Sequence, residues 1–163
     1  MIDKNQFQKM EFKTRGIIEA GANIELNRVP TSWKPNNSNS TELREKIRDI
    51  VWEKADEYRR LNNVKISDYH FIENCCRIPC DTIKKAISGR YKITRNFLAK
   101  FAVGLNLSIE EANELFRIHS GELNLTNDFD YIVYHALKSK DDIVFFIQEL
   151  YEYLEINLDV DRL

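Results

Sequence analysis

From residue 40 onward the apolar side chains recur at steps of three and four. Leu43, Ile47, Ile50, Val51, Tyr58 and Leu61 make one stripe along a charged segment, which predicts a helix of about 20 residues. Ser40 or Thr41 can cap its start, and Asn62 and Asn63 suit its end. A shorter helix, Ser67 to Cys76, begins at Ser67 or Asp68 and has Phe71, Ile72, Cys75 and Cys76 as its apolar side. Arg77-Ile78-Pro79 interrupts it, because proline disfavours helix at the residue before it and suits a helix start. Cys80 to Ser88 comes next as a helix with Ile83, Ala86 and Ile87 inward, stopped by Gly89.

Four more caps order the rest of the chain. Thr94 precedes a helix with Phe97, Leu98, Phe101, Ala102 and Leu105 on its core face. Ser108 and Glu111 form a capping-box pattern, Asn127 or Asp128 opens the next helix, and Asp141 opens the last. No repeat and no strong strand pattern occurs after residue 40. Before it, the sequence reads as an irregular arm with hairpin-like alternation in IELNRV and a Pro, Asn and Ser linker at 30–40. The fold class expected is all-α: a helical bundle with a mostly irregular N-terminal arm. The boundaries are 1–40 for arm and linker, 41–125 for the main helical domain with its long first helix, and 126–163 for a C-terminal helical extension.

Charge changes this picture. The 163 residues carry 24 Lys and Arg against 26 Asp and Glu, a net charge of −2 that excludes a polybasic coat for nucleic acid or membrane. Split along the chain, residues 1–76 are +1, residues 77–100 are +6 and residues 101–163 are −9. The basic window coincides with the second short helix and the dozen or so residues beyond it.

At these residues the chain resembles a family. Ile78 to Lys85, then Ile87-Ser88-Gly89, resembles the recognition-helix segment of phage-repressor-like (Xre/Cro type) helix-turn-helix domains. FLAKFAVGLNLS and IEEANELF resemble the family's next two helices. Phe129 to Val133 with Asp142-Ile143 and Phe146-Ile147 is similar to the C-terminal extension of a group of helix-turn-helix proteins from Firmicutes. The resemblance implies a cytoplasmic bacterial or phage transcriptional regulator that binds double-stranded DNA. The chain departs from the family pattern at Glu73, where a small residue is usual, at Arg77, where glycine is frequent, and at Pro79, which replaces a Ser or Thr cap. A looser or differently angled turn is expected.

The DNA-binding residues expected are Cys80, Asp81, Thr82, Lys84, Lys85 and Ser88 on the outer side of the helix, with Arg90, Tyr91, Lys92 and Arg95 placed for phosphates. Three to five neutralised phosphates would give a slope of log K against log salt of roughly −3 to −4.5. An alternative reading is a protein-interaction module, such as a phage- or mobile-element-derived inhibitor or adaptor, on the same fold.

No catalytic set, P-loop, nucleophile elbow or dinucleotide turn is present, so no enzyme and no cofactor are expected. Cys75, Cys76 and Cys80 near His70 invite a metal reading, but adjacent helical cysteines point about 100° apart and C-x2-C spacing is absent. They read as structural thiols with no metal. Cys80 stands apart, since a helix N-terminus and basic neighbours would lower its thiol pKa and suit redox sensing. The N-terminus lacks a signal-peptide pattern and no run suits a membrane span. The C-terminal helices carry Phe129, Tyr131, Tyr134, Phe145, Phe146, Tyr151 and Tyr153, more rings than one buried stripe needs. The surplus predicts an apolar patch that holds the long helix or forms a homodimer or partner surface.

Overall fold

A computed structural model describes residues 40–158, and the arm and linker expected over residues 1–40 lie outside them except for Ser40. The described residues form seven helices: α1 (Thr41–Asn62), α2 (Asp68–Cys76), α3 (Cys80–Ser88), α4 (Arg95–Gly104), α5 (Ile109–His119), α6 (Asp128–Ser139) and α7 (Ile143–Leu154). The all-helical expectation holds, and no described helix is long and apolar enough to cross a membrane.

The caps match the sequence closely. Ser40, Ser67, Thr94 and Asn127 each accept a hydrogen bond from a first-turn N–H, and Ser108 with Glu111 completes a capping box. The last helix is the exception, since Asp142 and not Asp141 is its N-cap. Lys140 ends α6 in the left-handed region at φ 53° and the Asp141 N–H turns back to Ala136 O at 2.9 Å, so the chain needs one more residue before it can start again.

Helix α4 lies at the centre, packed by α2, α5, α6 and α7. It is therefore buried from Phe97 to Val103, including Lys100. Gly104 lets α2 come close: a Cβ there would meet Cys75 O, Cys76 Cα and Cys76 Sγ at 2.6 Å each. The long helix α1 packs on α2, α3 and α5 through Leu43, Ile47, Val51 and Ala55. Its fully buried stripe stops there: Tyr58 is partly exposed and tilted on Phe71, Arg59 reaches across to Asp68, and Leu61 is 76% exposed.

The C-terminal rings are used differently from the expectation that they hold the long helix. The main neighbours of α6 and α7 are each other and α4. Phe146 and Tyr131 are buried there, whereas Val144, Phe145 and Tyr151 are exposed on the outer side of α7.

Candidate nucleic-acid interface

Helices α2 and α3, nine residues each, are joined by Arg77, Ile78 and Pro79. Arg77 adopts φ 57°, the left-handed conformation for which glycine is better suited, and its N–H bonds to Glu73 O. Ile78 is buried and pins the link to the core. Pro79 supplies no side-chain cap to α3. Glu73 takes that part from α2, with Oε1 accepting a long hydrogen bond of 3.4 Å from the Cys80 N–H. The α2 end is held by Lys100, whose buried ammonium donates to Arg77 O at 2.8 Å. A cation at a helix C-terminus is favourable both for the unpaired carbonyl and for the macrodipole. The turn, expected to be looser or differently angled, is thus tied from two sides.

Ile83 and Ala86 seat α3 on α1 and α2, and Ile87 is half-buried. This leaves Asp81, Lys84, Lys85 and Ser88 exposed and Cys80 and Thr82 half-exposed on the other side. Lys84 Nζ lies 5.3 Å from the centre of the Tyr69 ring. Lys85 Nζ pairs with Asp81 Oδ2 at 2.9 Å, and this contact holds the Asp81 carboxyl below its usual range. Gly89, at φ 82°, turns the chain, and Arg90 comes next with Nε donating to Ser88 Oγ. Lys92 is exposed, while Tyr91 is half-buried with its ring 5.7 Å from that of Phe97. Nine of the ten residues expected at the interface therefore line α3 and the segment just beyond it.

Arg95 does not join them. Its guanidinium turns into the body, donating from Nη2 to Asp130 Oδ2 and from Nη1 to Ser120 Oγ and Gly121 O, each at 2.8 Å. It also lies over the Phe116 ring at 4.7 Å. The expected phosphate contact is corrected to an internal tie between α4 and α6, because the buried Asp130 offers this cation a stronger partner than water. Burial pushes the Asp130 carboxyl above its usual range, partly offset by the Asn124 N–H and by Arg95.

The tie extends to His119. This ring is buried, with Nε2 2.8 Å from Ile93 O and Nδ1 2.8 Å from Ser120 Oγ. A carbonyl only accepts, so Nε2 carries the proton and Nδ1 accepts from the Ser120 hydroxyl. Arg95 therefore donates to Ser120, Ser120 to His119, and His119 to Ile93. Burial lowers the His119 pKa, in keeping with this neutral tautomer.

The thiols divide as well. Burial raises the Cys75 pKa and raises that of Cys76 well above its usual value, which fits structural thiols. Cys80 departs from its expectation: desolvation and then the Glu73 carboxylate, with Oε2 3.5 Å from Sγ, raise its pKa and outweigh Lys84. The expected lowering of the thiol pKa at the head of α3 is thereby corrected to a rise.

One basic neighbour was not legible in the sequence. Arg44, on α1, stands so close to the end of α3 that a Cβ on Gly89 would lie 2.9 Å from its Nη1. It adds a cation beside Arg90 from 46 residues upstream in the chain. Beyond it, Arg48, Trp52, Tyr69 and Ile87 help line a surface groove of about 590 Å³ between α1 and the α2–α3 pair. No family model, curated protein or solved structure matches this chain.

Proposed function

We propose that the protein binds double-stranded DNA sequence-specifically, as a transcriptional regulator, with α2 and α3 acting as a helix-turn-helix and α3 entering the major groove. One observation carries the reading: α3 is seated by Ile83 and Ala86 so that Thr82, Lys84, Lys85 and Ser88 all face outward, and the chain leaves it directly into Arg90 and Lys92. A helix of this kind fits the major groove with side chains at base edges and flanking cations on phosphates. Lys84 and Lys85 have the donors for guanine O6 and N7, and Thr82 has a methyl and a hydroxyl for thymine or phosphate. The Lys85–Asp81 pair is exposed, so it is weak in water and exchanges readily for a base contact. A homodimer would set two such helices about one DNA turn apart on a palindromic site.

With Arg95 and Lys100 committed to the interior, Lys84, Lys85, Arg90 and Lys92 remain as the cations of the basic window exposed near α3. With Lys84 and Lys85 at base edges, Arg90 and Lys92, joined by Arg44 of α1, are left for phosphates, and two to three neutralised phosphates give a salt slope of about −1.8 to −2.7. The test is binding to DNA from upstream of the protein's own coding sequence against scrambled DNA, across a salt series, with a Lys84→Ala/Lys85→Ala variant. Preference for the native sequence, lost in the variant, supports the regulator. Equal weak binding to all DNA, or none, sinks it.

A protein-interaction module is the second reading, and it draws on different residues. Trp52 is 60% exposed at the groove, and Val144, Phe145 and Tyr151 are exposed on α7, a larger apolar display than a solitary domain needs. The second outcome of the DNA assay favours it.

A further inference from the structure

The turn between α2 and α3 gathers three side chains, of which the DNA reading uses only the outermost edge. His70 and Glu73 are three residues apart on α2 and so share one face of it. The left-handed Arg77 and the fixed Pro79 then return the chain so that Cys80, the first residue of α3, comes against that face. One ligand atom from each of His70, Glu73 and Cys80 lies within 4.8 Å of the other two, and Cys80 Sγ is 3.5 Å from Glu73 Oε2. His70 is exposed and the other two are half-exposed, so an ion can reach them.

We infer that His70, Glu73 and Cys80 form a binding site for a zinc-class divalent cation. Zinc bonds of about 2.3 Å to sulfur and about 2.0–2.2 Å to nitrogen or oxygen place the ligand atoms of a tetrahedral site roughly 3.3–3.6 Å apart. The sulfur–carboxylate pair already has that spacing. The wider pairs need to close by at most about 1.5 Å, within reach of a rotation of the exposed imidazole. Thiol, imidazole and carboxylate together select zinc or cobalt over magnesium and calcium, which favour all-oxygen sites. With His70 ligating through Nε2, Ser67 Oγ, 2.7 Å from Nδ1, would be the outer hydrogen bond that orients the ring. Cys76 is fully buried, with Sγ directed to Phe101 O, so it is no ligand. The fourth coordination position is open to water or to a ligand from a partner.

Such an ion would replace the present Glu73–Cys80 contact by bonds from α2 to α3, and so fix the angle between them. The site itself does not depend on the DNA reading, and its test contains no DNA. The full chain, treated with a chelator and kept reduced, is titrated with cobalt(II). The expected result is one equivalent bound, with thiolate-to-cobalt charge-transfer absorption, d–d bands of tetrahedral intensity, and displacement of the colour by zinc but not by magnesium. Cys80→Ser abolishes the charge-transfer band, and His70→Ala, at an exposed position that leaves the helical circular dichroism intact, weakens binding beyond the roughly 10–100-fold that loss of an outer partner costs. Cys75→Ser leaves the spectrum unchanged. Absence of the band in the unaltered chain, or a band that survives Cys80→Ser, overturns the proposal.

Discussion

Replacing Arg95 by alanine tests whether the basic window is a surface or partly a scaffold. The substitution removes the hydrogen bonds of 2.8 Å to Asp130, Ser120 and Gly121 and the stacking on Phe116. It leaves the Asp130 carboxylate, whose side chain is 1% exposed, dependent on the Asn124 N–H at 2.9 Å. Removing one member of a buried ion pair costs about 3–5 kcal/mol, because the other charge stays desolvated. Against a total stability of about 5–15 kcal/mol, that is a large share. Arg95→Met combined with Asp130→Leu should cost less than Arg95→Ala alone, since neither charge is then stranded. Urea unfolding monitored by circular dichroism measures all three proteins, with the midpoint shifting at constant slope. The DNA salt slope of the same variants, taken where each is folded, should not change. A loss below about 1 kcal/mol, the range of exposed pairs, together with a slope reduced by about 0.9, would refute the internal assignment and return Arg95 to a phosphate.

Buried groups give two further expected outcomes. Burial depresses the pKa of His119 and of His135, so below the usual imidazole value of about 6.5 the unfolded chain binds protons that the folded one excludes. Stability should be complete above that value and fall as pH drops through it, at no more than about 1.4 kcal/mol per pH unit for each histidine, and His119→Gln should flatten the decline seen in urea midpoints between about pH 7 and 5. Gly104→Ala places a Cβ 2.6 Å from Cys75 O and Cys76 Cα, which are backbone atoms. Unfolding midpoints should then show a loss of about 1–3 kcal/mol that Cys76→Ala does not restore.

Helix starts are legible in the sequence because they are decided locally. A Ser, Thr or Asn ahead of an apolar period fixes where the first N–H groups find an acceptor, and Ser108 with Glu111 needs no tertiary information. The one-residue displacement at Asp142 arises from a preceding C-cap, which a scan for N-cap residues does not reveal. Tyr58 and Leu61 keep the right period and are still exposed, because period defines a face and not how much of that face the rest of the chain covers. The destinations of the cations are the least legible. Arg95 and Asp130 are 35 positions apart and Lys100 and Arg77 are 23 apart, so nothing in either neighbourhood marks them as partners. The approach of Glu73 to Cys80 depends on the left-handed Arg77, a conformation no arginine advertises.

The burial of Lys100 divides the lysines of the basic window chemically. Lys84, Lys85 and Lys92 are open to an acylating reagent in the folded protein, whereas the Lys100 ammonium is shielded and engaged with Arg77 O. Mild acylation thus labels the outer face of α3 while leaving the peg beneath the turn intact. Protection of the first three amines becomes a footprint of whatever covers that face, and Lys100 serves as the internal standard showing that the fold beneath it stayed closed.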